Sequence, residues 1–345
     1  YLTLGYIVAA AFHDFHKFFD TIDIPTIVHK LAEADFPLFD LCFGMQQHVA
    51  PRVVQCAGFS SRLIQVNHSI LAGCKYSKAF TVGLLHKGIT NLVNKHPDVN
   101  TSCYVDDTPQ ITKASTSIKV VENLLDAMLD FFHLASSLKL SLSPKGVVVS
   151  SDLQTNNRLC RALKKAGLEY EAESGAVRDL GVGYDAHRPK AKKDLMKKRK
   201  LTAAPVLAKT RAIANINRGG RKLYTASAFS QTTFGHQASG FSDLEILALE
   251  RQAANCTGIN AGRCRYSTLC IAYGPKGHPT VKLYRETFVS WFKYLQGVST
   301  SLYKCQPEDL KEAWDKLVNI AKLGFATSPA AAQNTVNGLM SSIIY

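Results

Sequence analysis

The sequence predicts an α+β fold, in which a small antiparallel sheet with backing helices is followed by a largely helical region. The apolar run from Tyr6 to Phe12 predicts a buried strand, and the segment around residues 103–112 predicts a β-hairpin. Apolar residues between 116 and 137 recur at the spacing of an amphipathic helix, and a second such helix is predicted over 244–254. Strands and amphipathic helices of these lengths favour a mixed architecture.

The composition indicates a folded protein that binds a polyanion. Hydrophobic residues make up 46% of the chain and charged residues 20%, and no apolar run reaches the roughly 18 residues that a membrane span needs. Residues 1–180 carry 17 basic and 17 acidic side chains, whereas residues 181–345 carry 24 basic and 10 acidic ones. The whole net charge of +14 therefore lies in the second half. This asymmetry favours a nucleic-acid backbone as partner over a merely solvated basic surface.

The cysteine pattern indicates an intracellular protein. The chain has nine cysteines, none of which forms a Cys-x-x-Cys pair. An odd number scattered over 345 residues is typical of reduced thiols rather than a disulfide framework.

Two carboxylate positions suggest divalent-cation chemistry. Asp106 and Asp107 are adjacent at the predicted hairpin tip, where their repulsion costs stability unless a cation offsets it. The apolar run ends at Phe12, and Asp14 lies just after it, separated only by His13. Mg²⁺ binds a few carboxylate oxygens together with substrate phosphates, and two such ions can promote an in-line displacement at phosphorus. An acidic surface turn is the alternative interpretation of the Asp pair.

These residues form motifs that resemble a known family. The pattern Asp-x-x-Lys-x-Phe-Asp at 14–20, followed by Tyr-Val-Asp-Asp at 104–107, resembles motifs A and C of reverse transcriptases. The similarity is greatest to the non-LTR retrotransposon, or LINE-like, branch. It implies a right-hand polymerase palm followed by a largely helical thumb.

The resemblance also implies roles for individual residues. Asp14 and Asp106 would bind two Mg²⁺ ions, for which Mn²⁺ can substitute, with the backbone carbonyl of Phe15 as a further ligand. Asp107 would support the site electrostatically. Phe19 would exclude the 2′-hydroxyl of an incoming nucleotide, and Tyr104 would contact the nucleotide or template. Lys145, with Lys139 as a reserve, would protonate the departing pyrophosphate.

Motif B is recognisable but altered. After a strand predicted over 59–66, Gly73, Ser77 and Phe80 match the family pattern Gly-x-x-Gln-Gly-x-x-x-Ser-Pro-x-x-Phe. Gly73 would let the backbone approach the template or nucleotide. Three positions depart from the family. Ala72 replaces the glutamine, Lys75 the usual proline and Lys78 the second proline.

A motif E-like Leu180-Gly181 pair precedes a strongly basic segment. In the family, the thumb begins here and its basic side chains contact primer–template phosphates. The candidates for such contacts are Lys190, Lys192, Lys193, Lys197, Lys198, Arg199 and Lys200. A nuclear localisation signal within 197–200 and a solvated helix face are alternative interpretations.

The expectation is therefore an RNA-directed DNA polymerase with a palm over 1–185, a thumb over 186–260 and a helical extension over 261–345. The implied partners are an RNA template, a DNA primer, dNTPs, and the fingers and endonuclease parts of a longer polyprotein, in the nucleus. A catalytically inactive nucleic-acid-binding remnant is one alternative, favoured by the altered motif B. An RNA-dependent RNA polymerase is another, which the loose Asp14–Asp20 spacing allows and Tyr-Val-Asp-Asp disfavours.

Overall fold

The computed structural model describes residues 5–144, 146–168, 170–172, 176–179, 182–185, 190–259, 265–299, 308, 310–312, 314–315 and 318–319. The chain divides into two compact units, Tyr1–Ser174 and Gly175–Tyr345. The first combines sheet and helices and the second is largely helical, so the predicted α+β class is confirmed. The predicted domain boundaries near 185 and 260 stay predictions.

The first unit has seven strands and six helices in its described residues. The strands are β1 (Ile7–His13), β2 (Gln55–Cys56), β3 (Phe59–Ser60), β4 (Val99–Thr101), β5 (Thr108–Ala114), β6 (Val147–Ser150) and β7 (Glu171–Ala172). The helices are α1 (Phe18–Thr21), α2 (Ile24–Glu33), α3 (Leu38–Val49), α4 (Ser77–Lys95), α5 (Ser117–Ser137) and α6 (Leu153–Lys165).

Strand β1 is the middle of the main sheet, whose order is β4-β5-β1-β6-β7. It pairs antiparallel with both β5 and β6. Ala9 and Ala11 lie on the face that packs against α5 and α6, together with buried Leu124 and Leu159. Their small side chains let the helices approach the central strand, and burial of this apolar face holds the sheet in register.

Pro109 occupies the second position of β5. Its carbonyl accepts a hydrogen bond of 3.1 Å from the N–H of Ser102, but proline has no N–H to return. The regular ladder between β4 and β5 accordingly ends at the pair Thr101 and Gln110.

The strand predicted over 59–66 is wrong in extent. Only Phe59–Ser60 forms a strand, paired with β2 across a tight turn, and Ile64 contributes an isolated bridge to Arg52. The apolar side chains beyond it are largely exposed, including Leu63 at 68%. The run was predicted as a strand, but among the described residues it is not covered by a sheet face that would bury it.

In the described residues, the second unit contains two strands and six α-helices, together with short 3₁₀ and π helices. The strands and α-helices are β8 (Ala176–Asp179), β9 (Val182–Asp185), α7 (Lys190–Ile216), α8 (Phe229–Thr233), α9 (His236–Ser239), α10 (Asp243–Asn255), α11 (Arg265–Tyr273) and α12 (Pro279–Ser299). Tyr224 lies in the middle of its core, fully buried, and its hydroxyl donates to the carbonyl of Leu249 at 3.0 Å. No described helix has both the length and the apolar character needed to cross a membrane.

Candidate active site

The hairpin between β4 and β5 carries the Tyr-Val-Asp-Asp sequence at its tip. Tyr104 and Asp107 exchange two backbone hydrogen bonds, which leaves Val105 and Asp106 as a two-residue turn. Val105 has φ of 61°, a conformation that a β-branched residue rarely adopts. Asp106 and Asp107 are half-buried, so the turn presents both carboxylates from a backbone with little freedom.

The pairing of β1 with β5 brings Asp14 to this turn. His13 is the register partner of Thr108, and Asp14 and Asp107 are the next residues along each strand. Both neighbours of Asp14 in the chain, His13 and Phe15, contact the ring of Phe131 on α5. Since successive side chains of a strand alternate between faces, the side chain of Asp14 lies on the face opposite α5.

The same alternation applies to β5. Gln110 donates to the carbonyl of Ala127 on α5 at 3.2 Å, and Thr108 is likewise fully buried. Asp107, one residue before Thr108, therefore lies on the same face of the sheet as Asp14.

The backbone after β1 is fixed by the segment 141–143. The N–H of Ser143 donates to the carbonyl of Asp14 at 2.7 Å, and the N–H of His16 donates to the carbonyl of Ser141 at 2.8 Å. Phe15 and Leu142 form the bridge between these two bonds. In an antiparallel pair of this kind, the N–H and C=O of the middle residue point away from the partner. The carbonyl of Phe15 is therefore directed to the side of β1 on which β5 and its hairpin lie.

Helix α1 connects this strand end to the altered motif B. The carbonyl of Phe19 accepts from the N–H of Ile70 at 2.9 Å, and the carbonyl of Ile22 accepts from the N–H of Ser69 at 2.9 Å. Phe19 is half-buried against the core formed by Phe18 and its neighbours, whereas Asp20 is exposed. Phe19 thus has both a fixed backbone and a partly accessible ring.

Helix α4 brings the motif B segment into contact with the hairpin. Gly73 has φ of 86° in the turn before this helix, a conformation that glycine adopts without strain. In the first turn of α4, Lys78 places its ammonium 5.2 Å from the centroid of the Tyr104 ring. The segments that resemble motifs A, B and C thus contact one another.

The candidate catalytic lysine cannot be placed in the same way. Lys145 lies outside the described residues. Its reserve, Lys139, donates to the carboxylate of Asp23 at 3.0 Å. Asp23 also caps α2 by accepting from the N–H of Thr26 at 3.0 Å. Hydrogen bonds from Thr26 and Lys139 lower the pKa of Asp23 to about 2.

Burial and the negative charges of the turn raise the pKa of a neighbouring thiol, that of Cys103. Burial is the larger cause, and the charges are those of Asp106 and Asp107. The thiol thus lies in the negative potential that the two carboxylates create. A bound cation would relieve that potential.

The candidate donors are oxygen atoms, the ligand type that Mg²⁺ prefers. Among the described residues, no three His, Cys, Asp or Glu side chains form a metal-binding group. Two carboxylates on paired strands and a backbone carbonyl are hard oxygen ligands, fewer than a closed protein cage requires. Mg²⁺ characteristically binds through one or two carboxylates and completes its octahedron with substrate phosphates and water.

Sequence reasoning missed a buried polar network directly behind the site. Gln110 Oε1 can only accept, so it binds the protonated Nε2 of His13 at 2.9 Å. The other ring nitrogen then accepts from the hydroxyl of Tyr170 at 2.6 Å. Burial lowers the pKa of His13 to about 4, so the ring is neutral at physiological pH. A histidine beside Asp14 could be noted in the sequence, but its partners are distant in the chain.

The basic residues predicted for the thumb lie in α7 of the second unit. Lys197 and Lys198 are exposed, whereas Lys200 lies 3.9 Å from Glu245 and Arg199 donates to the carbonyl of Phe234 and covers its ring. The side chains of Lys190, Lys192 and Lys193 lie outside the described residues, as do Leu180 and Gly181. Within the described set, Lys197 and Lys198 have the accessibility that phosphate contacts need.

Comparison with known proteins gives a distant structural likeness. No protein-family profile and no curated protein matches the chain. Among solved structures, it is similar to telomerase from Candida tropicalis in complex with the TWJ fragment of telomeric RNA, at 13% sequence identity and a TM-score of 0.37. The similarity covers 81% of this chain and 49% of the telomerase chain, so the chain spans about half the length of that protein. A likeness at this level assigns no function.

Proposed function

We propose that the chain is the palm and thumb of an RNA-directed DNA polymerase of the LINE-like retroelement type. It would add deoxynucleotides to a primer 3′-hydroxyl, with RNA as template. The observation that supports this most directly is the pairing of β1 with β5, in which Asp14 and Asp107 follow the register pair His13 and Thr108. The carboxylates of the two most specific sequence motifs thereby share one face of one sheet.

The residues at this strand end and in the hairpin turn are proposed to have distinct tasks in nucleotidyl transfer. Asp14, Asp106 and the carbonyl of Phe15 are the proposed ligands of two Mg²⁺ ions, with Asp107 adding negative charge. When bound, such ions lower the pKa of the primer hydroxyl and offset the charge of the phosphates. In the reaction, the 3′-oxygen forms a bond to the α-phosphorus, the bond between that phosphorus and the bridging oxygen of pyrophosphate breaks, and the hydroxyl proton passes to solvent.

Other residues would select and position the substrates. Phe19, with its half-buried ring, is proposed to pack beneath the sugar and exclude a 2′-hydroxyl. Gly73 would admit the template or nucleotide close to the backbone before α4, and Tyr104 would contact it from the hairpin. Lys145 is proposed to donate a proton to the departing pyrophosphate.

The basic helix α7 would hold the primer–template by its phosphates. Exposed Lys197 and Lys198 are the best-supported contacts, and Lys190, Lys192 and Lys193 extend the same helix. Such contacts are independent of sequence and weaken strongly with salt. The same cluster is proposed to direct the protein to the nucleus, and the remaining parts of a longer polyprotein to complete the enzyme.

A second candidate is a nucleic-acid-binding relative that has lost catalysis. The departures at Ala72, Lys75 and Lys78 favour it, because they fall where the family positions the template. In that case the chain binds primer–template with a steep salt dependence but adds no nucleotide.

Primer extension on an RNA template distinguishes these functions. The reaction contains Mg²⁺ and either dNTPs or rNTPs, and the intact chain is compared with the double variant Asp106→Asn/Asp107→Asn. Metal-dependent dNTP addition that is lost in the double variant supports the polymerase. Addition that persists in the variant refutes the metal assignment, and a preference for rNTPs identifies an RNA polymerase instead. Salt-sensitive binding without extension in either protein supports the binding-only candidate.

A further inference from the structure

A strip of aromatic rings and lysines leads from α3 across the start of α4 to the hairpin turn. On α3, the rings of Phe39 and Phe43 are parallel with centroids 6.0 Å apart, and Phe43 meets Tyr76 edge-on at 6.3 Å. The ammonium of Lys75 lies 5.5 Å from the Tyr76 ring. Three residues later, Lys78 lies against Tyr104 of the hairpin. We call these six residues the aromatic–lysine strip.

The strip is accessible to a ligand. Phe39 is 77% exposed, Phe43 49% and Tyr104 55%, and both lysines are exposed. Exposed rings that contact one another form a continuous apolar surface rather than isolated side chains. In the described part of the chain, neither lysine forms an ion pair with a carboxylate, so both charges face solvent.

Close packing of α3 on α4 fixes the strip. A Cβ atom added to Gly44 would lie 2.6 Å from Cζ of Phe80 and 2.9 Å from Cγ of Tyr76. Glycine at this position therefore lets the two helices approach, and Tyr76 stacks on buried Phe80 at 5.8 Å. The rings thus have a rigid support, which reduces the entropy that a ligand must overcome.

We propose that the aromatic–lysine strip binds an unpaired nucleic-acid strand, whose bases stack on the rings and whose phosphates contact Lys75 and Lys78. Single-strand binding surfaces combine these two elements, because every base has a face that can stack and every linkage has a charge. A protein partner would use the rings but would leave two lysines without anionic groups, whereas a nucleic acid satisfies both. One carboxylate, Asp40, lies on the same helix as the rings, so the phosphates are expected to follow the lysine side.

Of the six strip residues, only Tyr104 matches a residue of a motif that the chain shares with reverse transcriptases; Phe39 and Phe43 lie outside those motifs. Both lysines stand at motif B positions where the chain departs from the family pattern. The inference rests on the proposed function only in assigning the bound strand as the template that leads to Asp106. The binding itself requires neither metal nor catalysis.

Photocrosslinking with iodouridine-containing RNA locates the strand on the protein. The oligonucleotide is unpaired and about 12 nucleotides long, within the usual range of single-strand sites. The reaction contains EDTA and no nucleotides, and crosslinked peptides are identified by mass spectrometry. Crosslinks to Phe39, Phe43, Tyr76 or Tyr104 are expected. Mapping is needed because the basic second unit is also proposed to bind RNA, so affinity alone would not identify the strip.

Variants then test the two chemical components. Phe39→Ala/Phe43→Ala is expected to weaken binding of the unpaired RNA about tenfold or more, while leaving a duplex competitor unaffected. Lys75→Gln/Lys78→Gln is expected to reduce the slope of log affinity against log salt by about 1.4, for two contacts of ~0.7 each. The matched controls are Phe59→Ala, an exposed ring outside the strip, and Lys87→Gln, an exposed lysine further along α4. Neither control is expected to change binding.

Three results would overturn the proposal. These are crosslinks confined to the second unit, equal losses in the strip and control variants, and equal losses for duplex and unpaired RNA. A dimer in sedimentation that Phe39→Ala/Phe43→Ala dissociates, without any change in RNA binding, would assign the rings to a second copy of the chain. None of these outcomes depends on primer extension, so this proposal and the polymerase assignment can fail separately.

Discussion

Tyr104 and Asp107 are joined by two backbone hydrogen bonds of 2.8 and 3.1 Å, so the chain reverses direction over Val105 and Asp106 alone. The turn is strained at Val105, where a left-handed conformation costs on the order of 1–2 kcal/mol for a residue with a β-carbon. Val105 also packs against the core that contains Phe80, which helps to hold it in place. The strain thus lies directly before the two carboxylates, as is common at functional sites.

Removal of the Asp106 charge is expected to affect the melting temperature differently with and without Mg²⁺. In EDTA, Asp106→Asn should raise the melting temperature slightly, because it relieves repulsion between adjacent carboxylates. Millimolar Mg²⁺ should then raise the melting temperature of the unaltered chain by a few degrees and leave the variant unchanged, because only a competent site gains binding energy. Differential scanning fluorimetry measures both shifts. Asp20→Asn, which alters an exposed carboxylate of α1, is the control. An equal Mg²⁺ response in all three proteins would contradict the site.

Phe19→Ala is expected to weaken the discrimination between dNTPs and rNTPs. With the ring removed, a 2′-hydroxyl can be accommodated, so the ratio of kcat/KM for dNTP over rNTP should fall by about tenfold or more. Single-nucleotide incorporation kinetics give the ratio. The variant should also be destabilised, because Phe19 packs on Phe18 with ring centroids 5.5 Å apart. An unchanged ratio in a folded variant would assign Phe19 to the core alone.

Acid should destabilise the first unit through His13. The pKa of His13 is about 4 in the folded chain and about 6.5 when unfolded, so the unfolded chain binds the proton more tightly. The corresponding stability is fully present above pH ~6.5 and is lost as the pH falls towards 4, up to about 3 kcal/mol. Urea unfolding at the two ends of this range should show a smaller acid loss in His13→Gln than in the unaltered chain. His16→Gln, an exposed neighbour, should retain the full loss.

Asp23 and Lys139 should contribute unequally to stability. Asp23→Ala removes the cap of α2 and is expected to cost about 1–2 kcal/mol, whereas Lys139→Gln should cost less than about 1 kcal/mol because the lysine side chain is 65% exposed. The pKa of Asp23 is lowered to about 2, so its contribution is present above pH ~3.8 and lost as the pH falls towards 2. Urea midpoints at neutral pH measure both variants. Equal costs would indicate that the ion pair, and not the cap, carries the effect.

Elements with strong local signals were predictable from the sequence. Periodicity over 116–137 predicts a helix, and α5 spans Ser117–Ser137. The segment around residues 103–112 predicts a β-hairpin, and β4 and β5 form the hairpin that carries Asp106. In each case the pattern that predicts the element lies within the element's own residues. Contacts with distant parts of the chain are therefore not needed to predict it.

Features that depend on distant contacts were not predictable. The network of His13, Gln110 and Tyr170 joins residues separated by 97 and 157 positions. Likewise, Lys78 appears in the sequence only as a departure from motif B, and its contact with Tyr104 depends on how α4 lies against the hairpin. The strand predicted over 59–66 was wrong for a related reason, since a strand is stable only where neighbouring strands and a covered face support it.

Single-nucleotide primer extension by Asp14→Asn, with Asp20→Asn as its matched control, tests the central claim most directly. Both residues belong to the same motif, but only Asp14 follows β1 beside the hairpin, whereas Asp20 is exposed on α1. The account predicts that Asp14→Asn reduces Mg²⁺-dependent dNTP incorporation by at least about 100-fold, as expected when a ligand of a catalytic metal is lost, while Asp20→Asn retains most activity. Incorporation by Asp14→Asn equal to that of the unaltered chain would show that β1 and the hairpin do not form a shared catalytic site.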